Sequence, residues 1–125
     1  MTSFNVNVIR EEGRLSVTGM FINGTYTKTS SDLNGFWTYN NEKYPKLFIY
    51  KLRDNYLSLK EMYKDYSPLK LYGGHWVIGC IEGRGSSSTS VWAYSDKKQK
   101  GDSLDCSELE WFEMVDLNKI KVTLL

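Results

Sequence analysis

The stretch Phe4-Asn5-Val6-Asn7-Val8 alternates apolar and polar side chains without a break. A period of two is typical of a β-strand with one buried face, because successive side chains point to opposite sides of the sheet. Arg14-Leu15-Ser16-Val17-Thr18 repeats the pattern after a polar interval. We interpret the two stretches as the strands of a β-hairpin.

The same period continues along the chain between closely spaced turn signals. Asn23-Gly24 and Asn34-Gly35 supply the positive φ angles that tight hairpin turns need, and each precedes a strand-prone run. Further strands are predicted at residues 25–27, 36–39, 46–52, 69–72, 76–78, 91–94, 109–115 and 120–124. The sequence therefore predicts an all-β fold, an antiparallel sandwich or barrel of about 8–10 strands.

One segment departs from the two-residue period. Apolar side chains recur at helical spacing between Leu59 and Tyr66, and Ser67-Pro68 would end a helix. The spacing predicts at most one short helix, near residues 58–66. A strand over residues 56–60 is the alternative.

Composition limits both the fold and the partners. A chain of 125 residues has room for one domain, so we assign residues 1–125 to a single β domain. Its hydrophobic content of 41% and charged content of 25% are those of a soluble globular protein. A net charge of +1 supplies no bulk attraction to nucleic acid or to anionic membranes, so neither is expected as a partner. The N-terminus has no signal-peptide pattern, so we expect a cytoplasmic protein.

The two cysteines indicate neither a disulfide framework nor a metal site. Cys80 and Cys106 are too few for the first, and they lack the spacing and neighbouring histidines of a zinc site. We expect both thiols to be reduced, and we predict neither a metal nor a cofactor.

Several short motifs resemble a repeat-type β module found in large uncharacterised proteins of protists and algae. They are Asn23-Gly24-Thr25-Tyr26, Asn34-Gly35, Leu69-Lys70-Leu71-Tyr72, Trp76-Val77-Ile78-Gly79 and Trp92-Ala93-Tyr94-Ser95, against the pattern NGxY, NG, LYY, WxIG and AYS. The resemblance covers about residues 20–96, and the longer stretch from Lys46 to Pro68 departs from it. It implies an accessory or interaction module, without catalytic residues.

Possible catalytic groups are few. The one histidine, His75, lies beside Gly73-Gly74, which we interpret as the turn of a hairpin between residues 69–72 and 76–78, with His75 exposed at its tip. Cys80 is its nearest possible catalytic partner, although packing of Cys80 in the core is the simpler interpretation. We therefore predict no catalytic residue.

Charged clusters also have simple structural interpretations. Arg84 lies in the glycine- and serine-rich stretch 83–90, where it could bind an anion, but an exposed loop is the simpler interpretation. Lys97, Lys98 and Lys100 are flanked by aspartates, which indicates a solvated turn. Glu108 and Glu110 share one face of the strand through Trp111, with Glu113 on the other, and we interpret the paired carboxylates as its solvent side rather than as a glycosidase or metal site.

The aromatic residues, 14% of the chain, are the most informative functional signal. On the strand 36–39, Trp37 and Tyr39 share the face opposite Phe36, so a surplus of aromatic side chains over one core face predicts a binding surface. If that face is core instead, Trp92 and the loop before it become the candidates.

Three functional hypotheses follow. The first is a non-enzymatic module that binds a protein through an aromatic face or loops, with Trp37, Tyr39, Trp92 and Arg84 as candidate binding residues. The second is a carbohydrate-binding module, which needs exposed aromatic rings rimmed by polar groups. The third is a small enzyme or a ligand carrier, and a carrier needs a cavity of about 300 Å³ or more.

Overall fold

A computed structural model describes residues 2–9, 21–29, 37–51, 74–80, 91–101, 103–113 and 118–125, with the backbone alone for Cys80. These residues form eight antiparallel strands that close into one barrel in the order of the chain. The strands are β1 (Ser3–Val8), β2 (Gly24–Lys28), β3 (Tyr39–Asn41), β4 (Leu47–Lys51), β5 (His75–Cys80), β6 (Val91–Lys98), β7 (Trp111–Glu113) and β8 (Lys119–Leu124). The all-β prediction is confirmed, and the architecture is the barrel.

Closure depends on the pairing of the first and last strands. Phe4 of β1 lies opposite Tyr26 on one side and opposite Leu124 on the other. The β1–β8 register continues to Val8 and Ile120. Because both edges of β1 are hydrogen-bonded, the sheet has no open edge there.

The barrel has two ends, and successive strands run between them in opposite directions. We call the end with Val8, Gly24, Leu47 and Glu113 the pocket end, because a surface pocket described below lies there. The opposite end is covered by the segment after β6. Leu104 is part of the hydrophobic core, its backbone N–H donates to the Tyr39 hydroxyl at 3.2 Å, and Lys51 Nζ donates to the Gly101 carbonyl at 2.8 Å.

Inward-facing side chains fill the barrel between its ends. Phe4 and Tyr39 pack edge to face with ring centroids 4.9 Å apart, and Tyr39 lies 6.1 Å from Trp76. The buried core comprises Phe4, Val6, Val8, Ile22, Tyr26, Tyr39, Leu47, Ile49, Trp76, Ile78, Ala93, Leu104, Trp111 and Ile120. Burial of several complete aromatic side chains supplies most of the hydrophobic free energy available to a small barrel.

The observed strand neighbours differ from those of the two predicted hairpins. β1 pairs with β2 along one edge and with β8 along the other. β5 lies between β4 and β6. The partner strands predicted at residues 14–18 and 69–72 lie outside the described residues. Short-range turn signals did not identify the observed neighbours, because long connections separate them in the sequence.

Strand boundaries differ from the prediction in two places. β3 begins only at Tyr39, so the strand predicted at residues 36–39 starts later. β6 continues through Lys98, so Lys97 and Lys98 belong to a strand and not to the predicted turn. The Asp96 N–H donates to the Glu110 carbonyl at 2.8 Å, so backbone pairing continues while the charged side chains point to water.

Other predicted elements lie outside the described residues. They are the turn at Asn34-Gly35, the helix near 58–66 and the loop at 83–90. The described residues include a 3-10 turn at Cys106–Glu108, capped by Asp105. No helix among them is long and apolar enough to cross a membrane.

Candidate binding site at one end of the barrel

An apolar pocket of about 200 Å³ opens on the surface at the pocket end. Phe21, Tyr44, Lys46, Leu47 and Trp92 line it, and we call it the aromatic pocket. The Phe21 ring centroid lies 6.4 Å from that of Tyr44 and 6.3 Å from that of Trp92. Three aromatic rings from distant parts of the sequence therefore converge around one opening.

A β-bulge places Trp92 at this site. Ile78 pairs with Ala93 while Gly79 pairs with Val91, so Trp92 is an extra residue without a partner position on β5. A bulge redirects the side chain that it carries. The Trp92 side chain is 38% exposed, although Val91 and Ala93 on either side of it are buried.

Phe21 is held in place by its neighbour. Phe21 and Ile22 have helical backbone conformation directly before β2. Ile22 is fully buried, and its carbonyl accepts a 2.7 Å hydrogen bond from the Tyr26 hydroxyl. Because Ile22 anchors this turn in the core, Phe21 is left on the surface, where it is 45% exposed.

Tyr44 lies on a loop between β3 and β4 that two asparagines stabilise. Asn41 Oδ1 accepts hydrogen bonds from the backbone N–H groups of Lys43 and Tyr44, at 2.8 and 2.9 Å. Asn40 Nδ2 donates to the carbonyls of Pro45 and Leu47, at 3.0 and 3.1 Å. The Tyr44 wall of the pocket is therefore ordered before any ligand arrives.

The structure also contains a buried polar pair that the sequence pattern did not identify. Glu113 is fully buried, and its Oε1 accepts a 3.4 Å hydrogen bond from Asn118 Nδ2. Within the described part of the chain, Asn118 Oδ1 and Trp111 Nε1 are buried without a hydrogen-bond partner. Glu113 shares the inward face of β7 with Trp111, whereas Glu108 and Glu110 are exposed, so Glu113 lies on the opposite side from them as the alternation predicted.

Two candidate binding residues, Trp37 and Tyr39, belong to the core or pack against it. Tyr39 is 1% exposed, so it cannot be part of an exposed platform, and that part of the hypothesis was wrong. Trp37 is half-buried against the core, and Lys28 Nζ lies 3.8 Å above its ring. Tyr39 points inward because the barrel closes over that face of β3, whereas Trp37 precedes the strand.

The remaining candidate residues from the sequence differ in where they lie in the fold. Trp92 is exposed in the aromatic pocket, whereas Arg84 lies outside the described residues. His75 is buried rather than exposed, and its Nδ1–H donates to the Ser95 carbonyl at 2.9 Å. It opens β5 and Cys80 ends that strand, so about 16 Å of extended chain separates the two backbones and they form no catalytic pair.

Cys106 is a free thiol, as predicted. Burial raises the pKa of its thiol, and backbone hydrogen bonds only partly oppose this shift. A raised pKa lowers the fraction of reactive thiolate, which is typical of a structural cysteine. In the part of the chain that the structure describes, no three histidine, cysteine or acidic side chains are placed to hold a metal ion.

Comparisons with protein-family models, with curated proteins and with solved structures found no match. The resemblance to a repeat-type β module therefore stays a prediction. Function has to be inferred from the residues at the site.

Proposed function

We propose that this protein is a non-enzymatic binding module that takes a large apolar side chain of a partner protein into the aromatic pocket. The observation that carries the proposal is the exposure of Phe21 and Trp92 around one pocket in a barrel whose other described aromatic residues are largely buried. Exposed aromatic anchors of this kind dominate the energetics of protein interfaces.

The size of the pocket supports a side chain rather than a whole small molecule. Pockets for drug-sized ligands enclose about 300–1,000 Å³. An apolar cavity of about 150 Å³ accommodates benzene. The aromatic pocket, at about 200 Å³, fits one aromatic ring or one branched aliphatic group.

The lining disfavours the carbohydrate hypothesis at this position. A sugar needs hydrogen-bonding groups around the stacking ring, because its hydroxyls lose water on binding. Of the described residues that line the pocket, Lys46 is the only one with a charged side chain, and no asparagine or acidic residue is among them. We therefore retain protein binding as the main proposal.

Selection of random peptides displayed on phage tests this function. Peptides are selected on the wild-type protein and counter-selected on a Trp92→Ala variant. We expect the enriched peptides to share one large apolar residue and to bind Trp92→Ala at least tenfold more weakly. Leu124→Ala is the matched control, since Leu124 is 59% exposed at the opposite end of the barrel. Peptides that bind Trp92→Ala as tightly as the wild type would contradict the proposal.

A small-ligand carrier is the second candidate, favoured by the buried polar atoms of Asn118 and Trp111 that lack a hydrogen-bond partner. Unpaired buried polar groups are costly, and a bound polar ligand would satisfy them. Native mass spectrometry of the purified protein checks this: an added mass that Asn118→Ala abolishes supports carriage, and the mass of the chain alone contradicts it.

A further inference from the structure

Positive charge flanks the aromatic pocket on the loop between β3 and β4. Lys46 lines the pocket, and Lys43 Nζ lies 5.4 Å from the centroid of the Tyr44 ring. Both lysine side chains are exposed. The other four lining residues, Phe21, Tyr44, Leu47 and Trp92, are uncharged at neutral pH.

The same loop carries one opposing charge. Glu42 is exposed, so residues 42–46 contain two positive charges and one negative charge. Lys46 belongs to the pocket wall, and Lys43 approaches the ring of another wall residue, whereas Glu42 is not among the described lining residues. Among the residues that the structure describes, the charged side chain in the pocket wall is therefore a positive one.

We propose that the partner presents an acidic segment: the apolar side chain that enters the aromatic pocket is flanked by aspartate or glutamate, whose carboxylates face Lys43 and Lys46. This inference rests on the proposed function and identifies the chemistry of its partner.

Hydrogen bonds order the loop that carries Lys43 and Lys46. Asn41 Oδ1 holds the backbone N–H groups of Lys43 and Tyr44, and the Leu47 N–H donates to the Tyr44 carbonyl at 3.0 Å. The two lysine backbones therefore keep a fixed position relative to the Tyr44 ring. Charges carried on an ordered loop beside an apolar anchor select partners by sign, since a like charge at that position is repelled.

Three capped tripeptides test the inference on the full-length protein. Each has phenylalanine in the middle, flanked on both sides by aspartate, glycine or lysine. Binding is followed in ¹⁵N–¹H spectra through the indole N–H signal of Trp92, which a Trp92→Phe variant assigns. We expect the aspartate peptide to bind about two- to fivefold more tightly than the glycine peptide and the lysine peptide to bind more weakly, which is the size of effect that exposed ion pairs give.

Two sets of variants separate the local charges from general electrostatics. Lys43→Gln with Lys46→Gln is expected to equalise the three affinities. Lys97→Gln with Lys100→Gln makes the same change in net charge away from the pocket, and it should preserve the order. Raising the salt concentration to about 1 M should also reduce the differences, because the Debye length falls to about 3 Å.

The outcomes distinguish a failure of the acidic-partner inference from a failure of the pocket proposal. Equal binding of the three peptides to the wild-type protein would overturn the acidic-partner inference and leave the pocket proposal standing. Tighter binding of the lysine peptide would also overturn it. If none of the peptides shifts the Trp92 signal, the proposed function fails together with the inference.

Discussion

Trp92 and Tyr39 are aromatic residues on strands of the same barrel, but their exposures differ widely. Tyr39 is 1% exposed and contacts Phe4 and Trp76, whereas Trp92 is 38% exposed. We expect Tyr39→Ala to lower the free energy of unfolding by about 3–5 kcal/mol through cavity formation. Trp92→Ala should lower it by less, about 1 kcal/mol, since more than a third of its side chain already contacts water. Urea denaturation of both variants measures the two values.

The Trp92→Phe variant is the control, because it keeps an aromatic ring at this position. Equal losses of stability in Trp92→Ala and Tyr39→Ala would show that Trp92 is structural, and the pocket would lose its principal anchor.

Tyr26 gives the barrel a dependence on alkaline pH. Burial raises the pKa of its hydroxyl above the usual value of 10, and the neighbouring Asn41 side chain only partly opposes this shift. A pKa raised in the folded state means that the stabilisation is complete below pH 10 and is lost as the pH rises above it. In Tyr26→Phe, stability should decline less between about pH 9 and pH 11 than in the wild type.

The same variant lacks the hydrogen bond from the hydroxyl to the Ile22 carbonyl, so its stability at pH 7 should be lower by about 1 kcal/mol. Denaturation curves recorded across this pH range test both statements. If the stability of the two proteins declined equally with rising pH, Tyr26 could not be the source of the dependence on alkaline pH.

Alternation along the strand separated Glu113 from Glu108 and Glu110 and so placed it on the face of Trp111. The sequence alone could not show which face was inside, because a glutamate usually marks the solvent side of a strand. The sequence also could not show how Trp92 becomes exposed, because a β-bulge has no recognisable pattern within a short apolar run of residues. Phe21 and Tyr44 were missed since only the folded chain brings them beside Trp92.

At the level of the elements, the start of β2 depends on a glycine conformation. Gly24 has φ of 137°, which residues with a side chain rarely adopt, and an added Cβ would lie 3.4 Å from Asn41 Nδ2. Gly24→Ala should lower the free energy of unfolding by at least about 1 kcal/mol. Gly101→Ala is an informative comparison, since its φ of 94° is also strained but its Cβ would meet no atom within 4 Å.

Thermal unfolding of the two glycine variants measures this difference. A larger loss in Gly24→Ala than in Gly101→Ala would assign the excess to the contact with Asn41. An unchanged melting temperature in Gly24→Ala would contradict the conformation described for the start of β2.

The elements that the sequence predicted well are those whose period and local turn signals agree. Alternating or strand-prone runs identified β1, β2, β4 and β8, and Asn23-Gly24 marked the turn before β2. Prediction failed where pairing partners lie far apart in the sequence, as in β1 with β8 and β4 with β5. Local residues determine that a strand forms, whereas the global closure of the sheet determines its neighbour.

For the whole molecule, closure predicts the absence of a frayed edge at β1 and β8. An open sheet would expose one row of amides on each of its outer strands, and these would exchange rapidly with solvent. In the closed barrel, Val6 and Val122 lie opposite each other inside a continuous ladder. We expect hydrogen exchange to protect β1 and β8 about as strongly as β5. Fast exchange restricted to β1 and β8 would indicate an open sheet.

The central claim is that the surface around Trp92 binds a partner while the aromatic residues inside the barrel stabilise the fold. The four tryptophans give four indole N–H signals, and the glycine-flanked phenylalanine peptide is the simplest probe of them. The phenylalanine residue of the probe, with about eleven heavy atoms at ~0.4 kcal/mol each, should bind with a Kd of about 1 mM. We predict that titration with the peptide moves the Trp92 signal in a saturable manner and leaves the signals of Trp76 and Trp111 in place. A Trp92 signal that stays fixed, or saturable movement of the Trp37 signal alone, would contradict the account.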